Sequence, residues 1–395
     1  MLRGPLKKQM PVLSEVCMRI SLPFLTARWR NLIVLNFEVE PTLLEALLPV
    51  GLELDLFEGK ALVSVIAFHF DANKLFGKIP TIPVTQFEEL NLRFYVRRLV
   101  GDEVRRGVVF VKEVVPSFII ATTARLLYGE PYEVRSMSHD WSGFSDHHGG
   151  TLRYTTRVGR EDVTISADTA GDLLELGPHS VQEFILEHYW GYTKQNNGSI
   201  SEYRVEHEPW RYWSAAAVTT GGDLWQLYPA EMRPFLCAAP HSVFVARGSP
   251  VAVYGYKRFY PICNTEAFPD RNRNGYLLYD GGCGFCSWLV RRCEVLLKHA
   301  GFGIASLQTS WVRDSLRIAD GELTRDIRLM LREGTLLSGA DAYLHLMSRM
   351  RWIWPLGLLL SLPGMRWLTW RIYERVNRNR FMISRICKLS PEGKR

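Results

Sequence analysis

The chain has 395 residues, of which 47% are apolar and 23% charged, and a formal charge of +7. That length is comfortable for two domains, and the apolar content is enough for real cores without low-complexity stretches. Its seven cysteines are scattered apart from one close pair, which excludes a disulfide scaffold and points to a reducing compartment; Met1 to Ser21 holds basic residues without a sustained apolar core, so no signal peptide and a cytoplasmic location are expected.

Residues 20–262 read as an α+β domain dominated by strands, at 32–38, 62–70, 90–96, 108–114, 151–158, 163–167 and 243–245. Gly159-Arg160-Glu161-Asp162 reads as a hairpin loop between two of them. Helices are predicted at 42–48 behind Pro41, at 119–128 and at 181–192, with a single turn at 224–227. Many antiparallel strands with few helices point to a barrel- or cone-like sheet around a pocket. In the strand at 87–95, Phe87, Glu89, Asn91, Arg93 and Tyr95 share one face; the other, Glu88, Leu90, Leu92, Phe94 and Val96, is mostly apolar. The polar face lines a cavity or meets solvent, and solvent is the commoner case for a half-buried strand. His139, Asp140, Asp146, His147 and His148 lie among Ser and Gly and fit no metal-ligand spacing, so they read as a solvated loop.

Arg28-Trp29-Arg30-Asn31, Pro49-Val50-Gly51-Leu52, the pattern Phe87-x-Glu89-x-Asn91-x-Arg93-x-Tyr95-Val96 and His207-Glu208-Pro209-Trp210 resemble the uncharacterised YqjF-like family, grouped with the acetoacetate decarboxylase-like fold. The resemblance implies that fold for nearly the whole domain. It does not carry the activity, which needs a lysine made acidic by a neighbouring lysine to form a Schiff base. No lysine stands at 126–132, after the Arg125 helix, and Lys112 has no lysine neighbour. No acetoacetate decarboxylation is therefore expected. A pocket near Arg93 and Arg125, with Glu89 on the same strand as Arg93, is a candidate site for a small anionic ligand.

The segment 263–274, with Pro269, Asp270 and a run of Arg and Asn, reads as a linker. Beyond it the apolar run 276–279 reads as a strand, and 287–299 as a helix. Between them stands Tyr279-Asp280-Gly281-Gly282-Cys283-Gly284-Phe285-Cys286. This order puts Cys283 at a helix N-terminus, where unpaired N–H groups and the helix dipole favour a thiolate. A second thiol one turn away completes a pair able to make or break disulfides. Half of a zinc site has the same spacing, but Cys293 would lie roughly 10 Å along the helix from Cys286, too far for one tetrahedral ion. Cys293 reads as a buried apolar residue, and no metal is expected.

After the motif come a strand at 303–307, a short helix or turn at 311–318, a strand at 326–331, a hairpin return at 335–338 and a helix at 340–350. Residues 275–390 resemble the DCC-type thiol-disulfide oxidoreductases through Asp280, Cys283 and Cys286, through Ser338-Gly339-Ala340-Asp341-Ala342, and through Tyr373 and Asn379-Arg380. The resemblance implies an α/β thioredoxin-like fold with extra C-terminal helices. It also implies Cys283 as attacking thiol, Cys286 as resolving thiol and Asp280 as a flanking carboxylate that either takes a proton or caps the helix. No proline stands between Ser287 and Trp354, so the cis-proline that thioredoxins place opposite the thiols is absent. Either Ser338-Gly339 approaches the site instead, or partners bind differently.

Trp352, Trp354, Leu356, Leu358 to Leu360, Leu362 and Trp367 adjoin seven basic residues that run from Arg366 to Lys388. Pro355, Pro363 and Arg366 make this a poor membrane span. It is either an interfacial helix or a pair of core helices with a solvated basic face, and such stripes are more often core. The basic residues belong to no nucleic-acid module. The leading expectation is a thiol-disulfide oxidoreductase without bound cofactor, acting on a disulfide-containing protein or small-molecule disulfide and fused to a ligand- or partner-binding domain. The rivals are a small-molecule sensor with a redox-switch cysteine pair and a peripheral membrane protein.

Overall fold

A computed structural model describes residues 23–75, 79–80, 86–127, 129–145, 147–195, 199–261, 269–270, 272–316, 324, 326–350 and 352–391. The leader reading at 1–21, Cys17, Asp146, Cys263 and most of the linker lie outside the described residues. The chain divides into two compact units, 23–261 and 262–395.

The first unit is mostly strand. It contains β1 (Leu25–Val39), β2 (Ala61–Leu75), β3 (Gln86–Val100) and β4 (Glu103–Val115), then helix α1 (Phe118–Leu127). There follow β5 (Tyr132–Val134), β6 (Met137–Asp140), β7 (Thr151–Val158) and β8 (Glu161–Leu174), then α2 (Val181–Leu186). The unit ends with β9 (Trp190–Lys194), β10 (Ile200–His207), β11 (Tyr212–Gly221), β12 (Ser242–Ala246), β13 (Pro250–Val253) and β14 (Lys257–Pro261). Strands β1, β2, β3 and β4 pair antiparallel in that order. β4 continues in parallel to β9, β9 pairs with β10, β10 with β13, and β13 again with β1. A second limb runs from β1 through β12, β11, β8 and β7 to β6.

β1 serves both limbs because it breaks in the middle. Its register slips between Arg30 and Ile33, and Asn31 there takes φ 55°. Asparagine tolerates that left-handed geometry better than most residues. Residues 25–28 pair with β13, residues 32–36 with β12, and the Tyr154 hydroxyl donates to the Asn31 carbonyl at 2.8 Å.

Apolar side chains from both faces of β2 are buried, Leu62, Ile66 and Phe68 on one and Val63, Val65 and Ala67 on the other. The hairpin loop is found where predicted, between β7 and β8, with Gly159 at φ 63°. The helix predicted at 181–192 stops at Leu186. Ser180 caps its start, accepting the Glu183 N–H at 3.1 Å, but Trp190–Lys194 is strand β9. Tyr203 of β10 lies across Gly191, and a Cβ there would lie 2.1 Å from its ring. His139 and Asp140 are in strand β6, paired with β7, and not in a loop.

In the second unit β15 (Gly275–Tyr279) leads into α3 (Gly284–His299), and the chain returns as β16 (Phe302–Ser306) parallel to β15. After α4 (Ser310–Ser315), the hairpin β17 (Arg328–Leu331) and β18 (Thr335–Ser338) adds to the other edge of β15, giving the order β16–β15–β17–β18. Helices α5 (Ala340–Ser348), α6 (Trp354–Ser361) and α7 (Pro363–Ile386) follow. All residues of β15, β17 and β18 are buried, as a covered sheet requires. Cys293, expected to be buried, is only half-buried on α3. The core reading of 352–370 also needs correction: of α6 only Gly357 is buried, and most of its leucines are exposed or half-exposed.

Candidate active site

The turn between β15 and α3 is held by Asp280. One of its carboxylate oxygens accepts the Gly282 N–H at 3.0 Å and the Gln308 amide at 2.8 Å. Gln308 in turn accepts the Gly281 N–H at 3.0 Å. The other Asp280 oxygen pairs with Arg380 of α7 at 3.3 Å. Arg380 also donates to the Thr324 carbonyl at 2.6 Å and to the Asn377 side chain at 2.9 Å. The cap of α3 is Cys283 itself. Its backbone is extended at φ −101°, ψ 112°, and its sulfur accepts the Cys286 N–H at 3.4 Å. Asp280 thus holds the turn and the arginine rather than capping the helix.

Ser384, one turn after Arg380 on α7, covers the first turn of α3. Its hydroxyl accepts the Phe285 N–H at 2.9 Å, donates to the Arg380 carbonyl at 2.8 Å and lies 4.0 Å from the Cys283 sulfur. Cys283 is 0% exposed, whereas Cys286 is half-buried. A hydrogen bond from the Cys286 thiol lowers the Cys283 pKa to about 6 against the opposing effect of burial; the Cys286 N–H, Ser384 and the charge of Arg380 add to the lowering. The same shared hydrogen bond, with burial, pushes Cys286 up. The pair therefore keeps its proton on Cys286 and its negative charge on Cys283, the division of labour that thiol exchange uses. Half-buried Tyr343 of α5 lies close enough to have its own pKa raised, by desolvation first and then by the cysteines.

Arg380 stood in the sequence only as part of a resemblance, and Gln308 and Ser384 were not singled out. Their signals were faint: a polar residue two places beyond a strand, and a serine four after an arginine on a helix. Ser338-Gly339, one of the two alternatives to a cis-proline, lies under α7. A Cβ on Gly339 would meet the Trp370 and Tyr373 rings at 2.8 and 2.9 Å, and Ser338 reaches toward Asp326 at 3.5 Å.

In the first unit Glu89 and Asn91 point inward, both under 5% exposed, which decides against the solvent reading of that strand. Glu89 accepts from Asn91 at 3.2 Å, Asn91 stands opposite Glu113 across β3 and β4, and Glu113 stands opposite Tyr132 of β5. Glu89, Glu113 and Glu130 are all buried, and burial raises the pKa of each: Glu89 and Glu130 to about 7, Glu113 well above its usual range. Arg93 is half-buried and donates to the Ile185 carbonyl at 3.2 Å, while Arg125 lies at the exposed end of α1 and donates to the Tyr132 carbonyl at 2.8 Å. Glu89 is thus gathered with two carboxyls the sequence reading missed, and no contact joins Arg93 to Arg125 among the described residues. Lys112 is ion-paired with Glu133. His139 bonds Glu88 at 2.6 Å and stacks on Trp141; no group of three or more potential metal ligands occurs among the described residues.

The family model for DUF2071, described as an uncharacterized conserved protein, matches residues 26–250, and the model for the DCC1-like thiol-disulfide oxidoreductases matches residues 277–386. The uncharacterized protein YqjF of Bacillus subtilis (strain 168) is 26% identical over 217 residues, covering 53% of this chain and 84% of that protein. Similar solved structures include acetoacetate decarboxylase from Legionella pneumophila, with TM-score 0.42 and 15% identity over 58% of this chain and 85% of that one. The enduracididine biosynthesis enzyme MppR, complexed with the condensation product of pyruvate and imidazole 4-carboxaldehyde, has TM-score 0.43 and 14% identity over 60% of this chain and 89% of that one.

Proposed function

The chain belongs to the DUF2071 family and carries a DCC1-like thiol-disulfide oxidoreductase domain behind that region, and from this premise we propose that Cys283 and Cys286 exchange two electrons with a disulfide substrate. The observation that carries the reading is the Cys283 sulfur at the cap of α3, bonded by the Cys286 N–H and lowered toward a thiolate. The Cys283 thiolate attacks a substrate disulfide. The substrate S–S bond breaks, a mixed disulfide forms, and the departing sulfur takes a proton. Cys286 then gives up its proton and attacks the Cys283 sulfur. The mixed disulfide breaks, the second substrate thiol leaves, and the Cys283–Cys286 disulfide remains. Substrate is reduced by two electrons, and a dithiol reductant restores the pair.

Under this reading the second unit is thioredoxin-like in fold and chemistry. Its substrate is a protein or small-molecule disulfide. The first unit supplies binding rather than decarboxylation, because Lys112 is tied to Glu133 and has no lysine beside it in the sequence. The test is insulin reduction by the thiol-reduced protein: activity is expected in the wild type and absent in Cys283→Ser. Cys286→Ser should instead accumulate the mixed disulfide. Turnover by Cys283→Ser at the wild-type rate would end the proposal.

A further inference from the structure

About half of the exposed large apolar side chains among the described residues fall between 352 and 386, far more than a helical pair closing a core would leave outside. On α7 most of them share one side of the helix: Trp367, Leu368, Ile372, Val376, Met382 and Ile386. Trp352, 93% exposed, and Leu359 bring α6 into the same class of surface. The opposite face of α7, through Trp370, Tyr373, Arg380 and Ser384, is held to the rest of its own unit.

The charges on the outer face select the occupant. Arg371, Arg375, Arg378 and Arg385 are exposed among the apolar side chains. The one acid between 352 and 391, Glu374, lies 3.7 Å from Arg378, and the Arg371 guanidinium sits over the Trp367 ring at 5.3 Å. An apolar stripe interleaved with arginines and tryptophan is complementary to a bilayer interface, with acyl chains for the stripe and anionic headgroups for the guanidinium groups. The stripe from Trp367 to Ile386 would run about 28 Å along the membrane plane. No helix among the described residues is long and apolar enough to cross a membrane, so contact of this kind lies on the surface.

We propose that the outer face of α7, extended by α6, docks on an anionic lipid surface. Because Arg380 and Ser384 occupy the other face of the same helix, docking would hold the Cys283–Cys286 pair close beneath the membrane surface. The docking surface depends on exposure and charge alone and stands whether or not the pair is catalytic.

The test is flotation of the full chain with vesicles of phosphatidylcholine alone or mixed with phosphatidylglycerol. The protein should float with the mixed vesicles only and be released by high salt. On the mixed vesicles Arg371→Gln and Arg375→Gln should each lower partitioning about fivefold, and Ile372→Ser should lower it as well. These side chains are exposed, so far-ultraviolet circular dichroism and the Cys283 alkylation rate should not change. Failure to bind the mixed vesicles, or equal binding by the arginine variants, would overturn the proposal. A wild-type dimer in sedimentation velocity that Ile372→Ser dissociates would overturn it too, giving the face to a second copy.

Discussion

The Arg380 guanidinium stands between two anions, the Asp280 carboxylate at 3.3 Å and the sulfur at Cys283, whose pKa its charge helps to lower. Arginine suits the place because it keeps its charge when buried and its planar fork serves Asp280, Asn377 and the Thr324 carbonyl together. Arg380→Gln should raise the Cys283 pKa by about one unit. From about 6, that shift slows iodoacetamide alkylation about fivefold at pH 6 and hardly at all at pH 8, where both proteins are mostly thiolate. Ser384→Ala should move the profile in the same direction, since the hydroxyl lies 4.0 Å from the sulfur and adds to the lowering at least as much as the Arg380 charge. A rate lowered equally at every pH would mean that these residues shape the turn and do not tune the thiol.

Two elements meet over that thiol. After α7 the chain turns back through Lys388 at φ 49°, and the Leu389 N–H donates to the Ser384 carbonyl at 2.9 Å. The Leu389 carbonyl then lies where a side chain on Gly284 would be, 2.2 Å from a Cβ there. Cys283 is 0% exposed, so the cover over the first turn of α3, to which this return segment belongs, has to open before a disulfide can reach the sulfur. Gly284→Ala should push the segment off α3 and speed Cys283 alkylation severalfold without moving the pKa, and an unchanged rate would show that access runs by another path. The strand, the turn and the thiol pair were legible because each is fixed locally: an apolar run, two glycines, and a cysteine able to cap a helix. Arg380 and Ser384 were not, because their helix reaches the turn from about a hundred residues away. At 181–192 the apolar pattern fits a helix or a strand, and the choice depends on β10, which brings Tyr203 opposite Gly191. Alternation in β3 separated a polar from an apolar face, but that both faces are covered depends on strands supplied by the rest of the unit.

For the folded molecule as a whole, the carboxyls inside the first unit set a pH dependence opposite to the usual one. Glu89 and Glu130 titrate near 7 when folded, with burial as the main cause, and at their ordinary value of 4.5 when unfolded. Between those pH values the folded state holds protons that the unfolded state has released. Stability therefore falls as pH rises from about 4.5 to about 7 and levels off above, the reverse of a salt-bridged acid. Glu113, raised further by burial and by the charges of Glu130 and Glu89, extends the window upward. The Asp55 carboxyl works against this: although burial raises it, hydrogen bonds from His188 and Arg106 bring it below its usual value, and it stabilises the fold as pH rises through the acid range. The carboxyl contribution is best isolated by substitution. Glu130→Gln keeps the shape and the buried amide-like polarity but cannot ionise. Its melting temperature, followed by a tryptophan signal from the first unit, should match the wild type near pH 5 and exceed it by several degrees near pH 8. Parallel curves for the two proteins across that range would show that Glu130 carries no proton into the folded state.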